Sequence, residues 1–261
     1  MAADKRRQAE LDQLVPAGLI VTRKWLMKQG LTRHALDNQV KSHQFVPVLP
    51  GVYARPHVTL VWQNLVCSLT SVLDTGLHLG GLSALSLQGF GHYLELSDPP
   101  LVHLYGKKAP PAWTKDLLIM VEPVWYSTKR LWEEGAGSVV SKYTVDFKWR
   151  DDLPPMKVSS PERAYLELLM DVPGDISFEH ADELMQGLTQ LSPRKLIELL
   201  SVCKSVKVKR LFFWMADRHH YAWRKKLNVD DYNLGEGKRV IAKAGKLDSR
   251  YQITVPGAMH G

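Results

Sequence analysis

The chain has 261 residues, of which 45% are hydrophobic and 23% charged, so it can bury one large core or two smaller ones. Its two cysteines, Cys67 and Cys203, form no CxxC pair, which excludes a disulfide framework and a cysteine-based zinc site. Residues 1–7 are basic, but no apolar stretch of a signal peptide follows, and no apolar run is long enough to span a membrane. This composition predicts a cytoplasmic protein.

The charge is divided into three blocks that together carry a net +7. Residues 1–56 hold nine Lys/Arg against four Asp/Glu, a net of +5. Residues 57–202 hold twelve against eighteen, a net of −6, and residues 203–261 hold thirteen against five, a net of +8. The pattern indicates two surfaces suited to phosphate, separated by an acidic stretch. For the C-terminal block, a merely uneven surface charge is the alternative.

The first 58 residues have the outline of a winged helix-turn-helix. In chain order, we predict a short helix over 4–14, helices over 22–29 and 32–42, and strands over 45–49 and 52–55. Thr22 and Thr32 each precede a helix as good N-cap residues, and Gly30 separates the two helices. Pro50 and Gly51 form the turn between the strands. Such an arrangement lets one helix brace the other in a groove of DNA.

The helix over 32–42 has two chemically different faces. Spaced at about 100° per residue, Ala35, Leu36 and Val40 share an inward arc. The outward arc carries Arg33, His34, Asp37, Asn38 and Lys41. Most of these residue types can contact guanine, adenine or phosphate, and Asp37 can accept from cytosine or orient Arg33. The alternative is an ordinary amphipathic surface helix.

Other residues near this helix are suited to hold the DNA backbone. Arg23 and Lys24 begin the bracing helix, and Arg55 follows the hairpin turn, where an arginine can enter a minor groove or bind a phosphate. The predicted DNA-binding residues are therefore Arg23, Lys24, Thr32, Arg33, His34, Asp37, Asn38, Lys41, Tyr53 and Arg55.

The remaining chain, residues 59–261, is predicted to form a larger mixed α/β domain, with a possible subdivision near residue 152, so the fold class is α+β. Helices are expected over 59–74, 81–87, from Pro161 through 169, and over 177–188, 193–203 and 207–226. Strands are expected over 101–105, 117–121, 138–147, 239–243 and 251–255. Ser160 is the expected N-cap before Pro161, and a capping box of Ser159 with Glu162 is the alternative.

A basic stripe in the C-terminal block is interleaved with apolar residues. Its members are Lys204, Lys207, Lys209, Arg210 and Arg218. The stripe indicates either a helix with a solvated face or, as we favour because aromatic residues lie beside it, a second nucleic-acid or antitoxin surface. Arg163, by contrast, is expected to pair with a carboxylate or a helix end rather than to act in catalysis.

No catalytic constellation is found in the sequence. The run over 235–238 ends in Gly-Lys, but Arg239 follows where a Walker A motif needs Ser or Thr. Adjacent His219 and His220 would diverge on a helix, which makes a poor metal site. We expect no enzyme activity, metal or cofactor. The alternative is a nuclease targeted by the winged helix, with Asp146, Asp151 and Asp152 as a loose acidic cluster.

Several blocks, in order along nearly the whole chain, resemble one bacterial family. The first blocks are TRKWLMKQGLTRHALDNQVKS and LPGVYARP, within 19–56, and GGLSALSLQGFGHYL, over 80–94. The later ones are SSPERAYLELL, over 159–169, CKSVKVKRLFFWMADRHHYAW, over 203–223, and GKLDSRYQITVP, over 245–256. They resemble the AbiEi family, antitoxins and transcriptional regulators of type IV, abortive-infection toxin–antitoxin systems that act in phage defence.

This resemblance implies a bacterial cytoplasmic protein with two tasks. The N-terminal domain would bind inverted repeats in its own promoter and repress the operon, an autoregulation. The C-terminal domain would neutralise a nucleotidyltransferase-like toxin without a stable complex. The reading residues would correspond here to the outward face of residues 32–41 and to the wing through Arg55. The resemblance does not indicate which C-terminal residues neutralise the toxin.

Overall fold

The computed structural model describes residues 10–91, 101–117 and 121–260, which divide into two compact units. Within the described residues, the first unit comprises 10–79, 101–117, 121–126 and 146–158. The second unit comprises 80–91, 127–145 and 159–260. The domain boundary near 58 and the subdivision near 152 stay predictions.

The first unit begins with two helices and a small sheet. Residues 10–14 are helical, and β1 (Ile20–Thr22), α1 (Arg23–Lys28), α2 (Arg33–Lys41), β2 (Val46–Leu49) and β3 (Val52–Ala54) follow. The strands pair antiparallel in the order β1-β3-β2. The predicted helix-turn-helix and hairpin are confirmed. The three-residue strand β1 was not predicted, and residues 4–9 of the predicted first helix lie outside the described residues.

Capping side chains fix where the two helices begin. The Thr22 hydroxyl accepts a hydrogen bond from the Trp25 amide at 3.2 Å, and the Thr32 hydroxyl accepts one from the Ala35 amide at 3.1 Å. Between the helices, Gly30 has φ +93°, a conformation that glycine adopts without a steric penalty. The predicted N-caps are therefore confirmed, and they set the angle at which α2 leaves the turn.

A larger sheet lies mainly in the first unit. Its strands are β4 (His78–Leu79), β5 (Leu101–Gly106), β6 (Glu122–Ser127), β7 (Thr144–Phe147) and β8 (Met156–Ser159), in the order β6-β5-β4-β8-β7. Within the range 59–74, where one helix was predicted, the α-helix α3 covers only Trp62–Cys67. A π-helical segment over Ser68–Val72 follows it directly. Of the strand predicted over 117–121, residues 118–120 lie outside the described residues.

The second unit is mainly helical. Its elements are α4 (Gly81–Leu87), α5 (Gly137–Ser141), α6 (Pro161–Leu168), α7 (Phe178–Gly187), α8 (Pro193–Ser201), α9 (Val206–Asp217) and the hairpin of β9 (Lys246–Asp248) and β10 (Ile253–Val255). Ser160 is the N-cap of α6 with Pro161 behind it, as predicted. The capping-box alternative is wrong, because the Ser159 hydroxyl donates to Glu167 at 2.8 Å instead.

Three element predictions in the second unit are wrong. Residues 138–141 are helical rather than extended, and the helix predicted over 207–226 ends at Asp217. Tertiary contacts draw the following segment back, since the indole N–H of Trp223 donates to the Leu188 carbonyl at 3.0 Å. The strand predicted over 239–243 is reduced to a single parallel bridge between Arg239 and Ile253, and the regular partner of β10 is the strand over 246–248. In each case long-range packing overrides local preference.

Among the described residues, the helices are all too short or too polar to cross a bilayer.

Both cysteines lie in the protein interior. Cys67 and Cys203 are buried, and burial raises the pKa of each thiol to about 11. Since only the thiolate is a good nucleophile, we expect both to react with iodoacetamide at neutral pH far more slowly in the native protein than in denaturant. Mass spectrometry of timed reactions measures this. Native labelling as fast as denatured labelling would contradict the burial.

Candidate nucleic-acid interface

Helix α2 presents a polar face to solvent. Leu36 is fully buried, whereas the predicted outward residues are exposed. These are Thr32, Arg33, His34, Asp37, Asn38 and Lys41. The arrangement follows from the sequence, because Leu36 anchors the helix and the residues on the opposite arc face away from it. The face therefore offers cationic and amide donors at the surface.

Two side chains on this face are hydrogen-bonded to each other. The Asn38 amide nitrogen lies 3.2 Å from Nε2 of His34, one turn away on α2. The contact restricts both side chains and leaves the Asn38 amide oxygen directed elsewhere.

The wing is connected to the bracing helix. The Arg23 guanidinium donates to the Tyr53 hydroxyl at 2.8 Å, and this hydrogen bond raises the pKa of Arg23. The Arg23 amide donates to the carbonyl of Gly51 at the wing turn at 2.8 Å. Tyr53 itself is buried, so it orients Arg23 rather than offering a surface of its own. Lys24 is exposed beside Arg23.

Arg55 is buried, whereas the sequence predicted an exposed arginine beside the wing. It is 7% exposed, is paired with Asp12 of the first described helical residues and donates to the Gln44 carbonyl at 3.0 Å. Its guanidinium also lies over the Phe45 ring, 5.5 Å from the centroid. Burial lowers the pKa of Arg55. In this conformation Arg55 fastens the hairpin to the rest of the unit, and it is not presented to a duplex.

The basic stripe of the second unit is largely internal. Lys209 is 7% exposed and Arg210 only 2%, since α9 is surrounded by the core of its unit. The Lys207 ammonium donates to the Met170 carbonyl at 2.7 Å, and burial lowers its pKa. Only Lys204 and Arg218 of the five are exposed. The five residues therefore do not form one surface, which corrects the prediction of a continuous basic stripe.

The acidic residues considered for a nuclease are each paired with a cation. Asp146 lies 2.5 Å from the Lys157 ammonium, and Asp151 lies 2.9 Å from that of Lys148. Asp152 pairs with Arg150. Within 10–91, 101–117 and 121–260, no three of the His, Cys, Asp and Glu side chains are grouped as a metal would require. These carboxylates act as ion-pair partners on the surface.

Two family models match this chain. A family model described as transcriptional regulator, AbiEi antitoxin, type IV toxin–antitoxin system matches residues 100–256, and a model of the AbiEi antitoxin N-terminal domain matches residues 5–96. No curated protein matches the chain. The crystal structure of the RV2827C protein from Mycobacterium tuberculosis is 17% identical, with 90% of this chain and 85% of that chain covered and a TM-score of 0.49.

The fold and the exposed helix define an α+β protein in which a winged helix-turn-helix precedes a larger mixed α/β part. The two matches together span nearly the whole chain. The chain therefore belongs to the AbiEi family of transcriptional regulators, the antitoxins of type IV toxin–antitoxin systems.

Proposed function

We propose that this antitoxin binds inverted repeats in its own promoter through α2 and the wing, and thereby represses its operon. The C-terminal part neutralises a nucleotidyltransferase-like toxin without forming a stable complex with it. The protein works in the bacterial cytoplasm, needs no cofactor and catalyses no reaction of its own.

The observation that carries the DNA-binding proposal is the exposed face of α2. Arg33, Asn38 and Lys41 lie on one side of a nine-residue helix whose opposite side is anchored by Leu36. A helix of about 10–12 Å diameter fits the major groove of B-DNA, and these side chains are long enough to reach base edges and phosphates from it. Arg23, which is hydrogen-bonded to Tyr53 at the start of the adjoining helix, would contact the flanking phosphates.

The small size of the winged helix-turn-helix favours an operator made of inverted repeats. Few side chains of α2 can read bases, so a single copy discriminates only a short half-site. Two copies related by a twofold axis would read two half-sites, spaced by about one helical turn or a multiple of it. The net +5 of residues 1–56 supplies the non-specific attraction that brings the module to DNA.

Substitutions on α2 test this proposal directly. We expect Arg33→Ala and Asn38→Ala each to weaken operator binding by about 1–3 kcal/mol if the residue makes a bidentate base contact. Lys24→Ala should weaken specific and non-specific DNA alike, because a phosphate contact carries no sequence information. Fluorescence anisotropy with operator and scrambled duplexes, at several salt concentrations, separates the two effects. Each lost phosphate contact should lower the salt slope by roughly 0.9.

The matched control is Arg194→Ala, which removes an exposed arginine of α8 in the second unit. Operator binding unchanged by Arg33→Ala, or lowered as much by Arg194→Ala, would contradict the assignment of α2. The nuclease alternative is tested in the same samples, because a nuclease would cleave the duplex when Mg²⁺ is added, whereas a repressor shifts it intact. For neutralisation, we expect co-expression of the full chain to restore growth to cells that express the toxin. A chain that carries Arg33→Ala should still do so.

A further inference from the structure

A cavity of about 420 Å³ lies in the second unit, at the end of α9. Asp217, Arg218 and His219 line it where the helix ends, and Asp248, Arg250 and Tyr251 line it from the β9–β10 hairpin. A volume of this size lies within the roughly 300–1,000 Å³ typical of small-molecule sites. The proposed DNA-binding face involves none of these residues.

The carboxylates of this cavity are occupied by the protein itself. Asp217 receives hydrogen bonds from Arg250, at 2.8 Å, and from the Tyr251 hydroxyl, and the Arg224 guanidinium lies 2.7 Å away. Asp248 accepts from the Tyr251 amide at 2.7 Å. The charge of Asp217 is thus compensated by two arginines, whereas Asp248 uses one acceptor position and keeps its negative charge.

The guanidinium groups, in contrast, keep donors available. Arg218 uses Nε on Asp182, at 3.1 Å, and Nη1 on the Met259 carbonyl, at 2.6 Å, while Arg250 uses only Nη1. Among the described residues, Nη2 of Arg218 and both Nε and Nη2 of Arg250 donate no hydrogen bond. The hydrogen-bonding capacity that remains in the cavity is therefore dominated by cationic donors.

Aromatic rings hold these two arginines in place. The Arg218 guanidinium lies 5.0 Å from the Trp214 ring centroid, and that of Arg250 lies 5.3 Å from the Tyr251 ring centroid. His219, bound to Asp182 at 2.9 Å, is stacked on Tyr221. Such contacts fix the side chains before a ligand arrives, which reduces the entropic cost of binding.

We propose that this cavity binds a phosphate group carried by a small organic molecule of about the size of a mononucleotide. A guanidinium matches phosphate geometry through paired N–H donors, and two guanidiniums with free donors suit an anion with several oxygens. Asp217 does not oppose it, because Arg224 and Arg250 already compensate its charge, and Asp248 contributes a single negative charge beside Arg218 and Arg250. The cavity is larger than a bare phosphate ion, which leaves room for an organic substituent.

Isothermal titration of the full chain with AMP, inorganic phosphate and adenosine tests this proposal. We expect AMP to bind, phosphate to bind more weakly, and adenosine not to bind. Arg250→Ala, at a side chain that is 65% exposed, should weaken AMP binding by roughly tenfold, the effect of losing one charge-assisted hydrogen bond. The control Arg194→Ala, whose side chain is 88% exposed elsewhere in the same unit, should leave it unchanged.

The arms of the titration distinguish the outcomes. Phosphate that binds as tightly as AMP, and loses affinity in Arg250→Ala, would still support recognition of the phosphate group and would identify the free ion as a sufficient ligand. Adenosine binding as tightly as AMP would overturn the proposal. So would equal losses in Arg250→Ala and Arg194→Ala, or the absence of AMP binding to a wild-type chain that circular dichroism shows to be folded.

Discussion

Replacing Glu167 by Ala should lower the free energy of unfolding of the second unit by about 3–5 kcal/mol, because it removes a buried carboxylate that is paired with the buried Arg163 guanidinium. Glu167 is fully buried, and its carboxylate accepts from Arg163 at 2.8 Å and from the Ser159 hydroxyl at 2.8 Å. The Gly81 amide donates to the same carboxylate at 3.3 Å. Removal of this group therefore takes away the acceptor of three buried donors, one of them on a charged side chain.

Urea unfolding, combined with amide hydrogen exchange over α6, measures this loss in the unit where it arises. Arg194 and Glu198 supply a matched control, since they form the same i,i+4 ion pair on a solvent-exposed helix face. Arg194→Ala should change stability little, because exposed pairs contribute little in water. The double variant Arg163→Met with Glu167→Leu should recover part of the loss. If Glu167→Ala lowered the free energy of unfolding no more than Arg194→Ala does, the result would contradict a stabilising role of the buried Arg163–Glu167 pair.

The Arg163–Glu167 pair also explains the charged residues in the sequence block over 159–169. Arg163 was expected to pair with a carboxylate or a helix end, and its ion pair with Glu167 confirms this pairing. Glu162, in the same run, is buried too and accepts from the Ser192 amide at 3.0 Å. Charged residues inside a helical motif thus serve the core of this unit, and they give no reason to assign chemistry to it.

The winged helix could be predicted because its signals are local. Thr22 and Thr32 cap helices within three residues of themselves, and His34 and Asn38, two residues to either side of the buried Leu36, must face outward. Gly51, at the hairpin turn, has φ +75°, as a tight turn between two short strands favours. Each of these features depends on neighbours that are read directly from the sequence.

The environment of the buried cations could not be predicted, because their partners are distant in the chain. Arg55 follows the wing turn, where an exposed arginine was expected, yet Asp12 lies 43 residues away and draws it inward. Periodicity identifies which face of a helix is apolar, but it does not show that α9 is covered on nearly every side. For the same reason, the contacts that end α9 at Asp217 involve Arg224, Arg250 and Tyr251, which only tertiary folding brings near.

Arg210 gives the sharpest contrast between sequence and structure, and its replacement should have the second large effect. Sequence placed it on a nucleic-acid surface, but its guanidinium donates to four carbonyls, those of Leu234, Gly235, Gly237 and Gln252, at 2.7–3.0 Å. Arg210→Met retains the apolar stem and removes all these donors. We expect it to lower the stability of the second unit by about 2–4 kcal/mol, since some of the freed carbonyls can regain water.

The loss should be concentrated in the loop over 234–237, because the guanidinium joins this loop to Gln252, the residue before β10. Hydrogen exchange should therefore increase first there, and urea unfolding should begin at lower concentration. Arg210→Lys should rescue little, as a single ammonium cannot satisfy carbonyls spread around a planar fork. Arg239→Met, at an exposed arginine of the adjoining segment, is the control and should leave stability unchanged. An Arg210→Met chain that is as stable as the wild type but binds nucleic acid more weakly would contradict the buried role of Arg210. It would support the nucleic-acid surface that was predicted from the sequence.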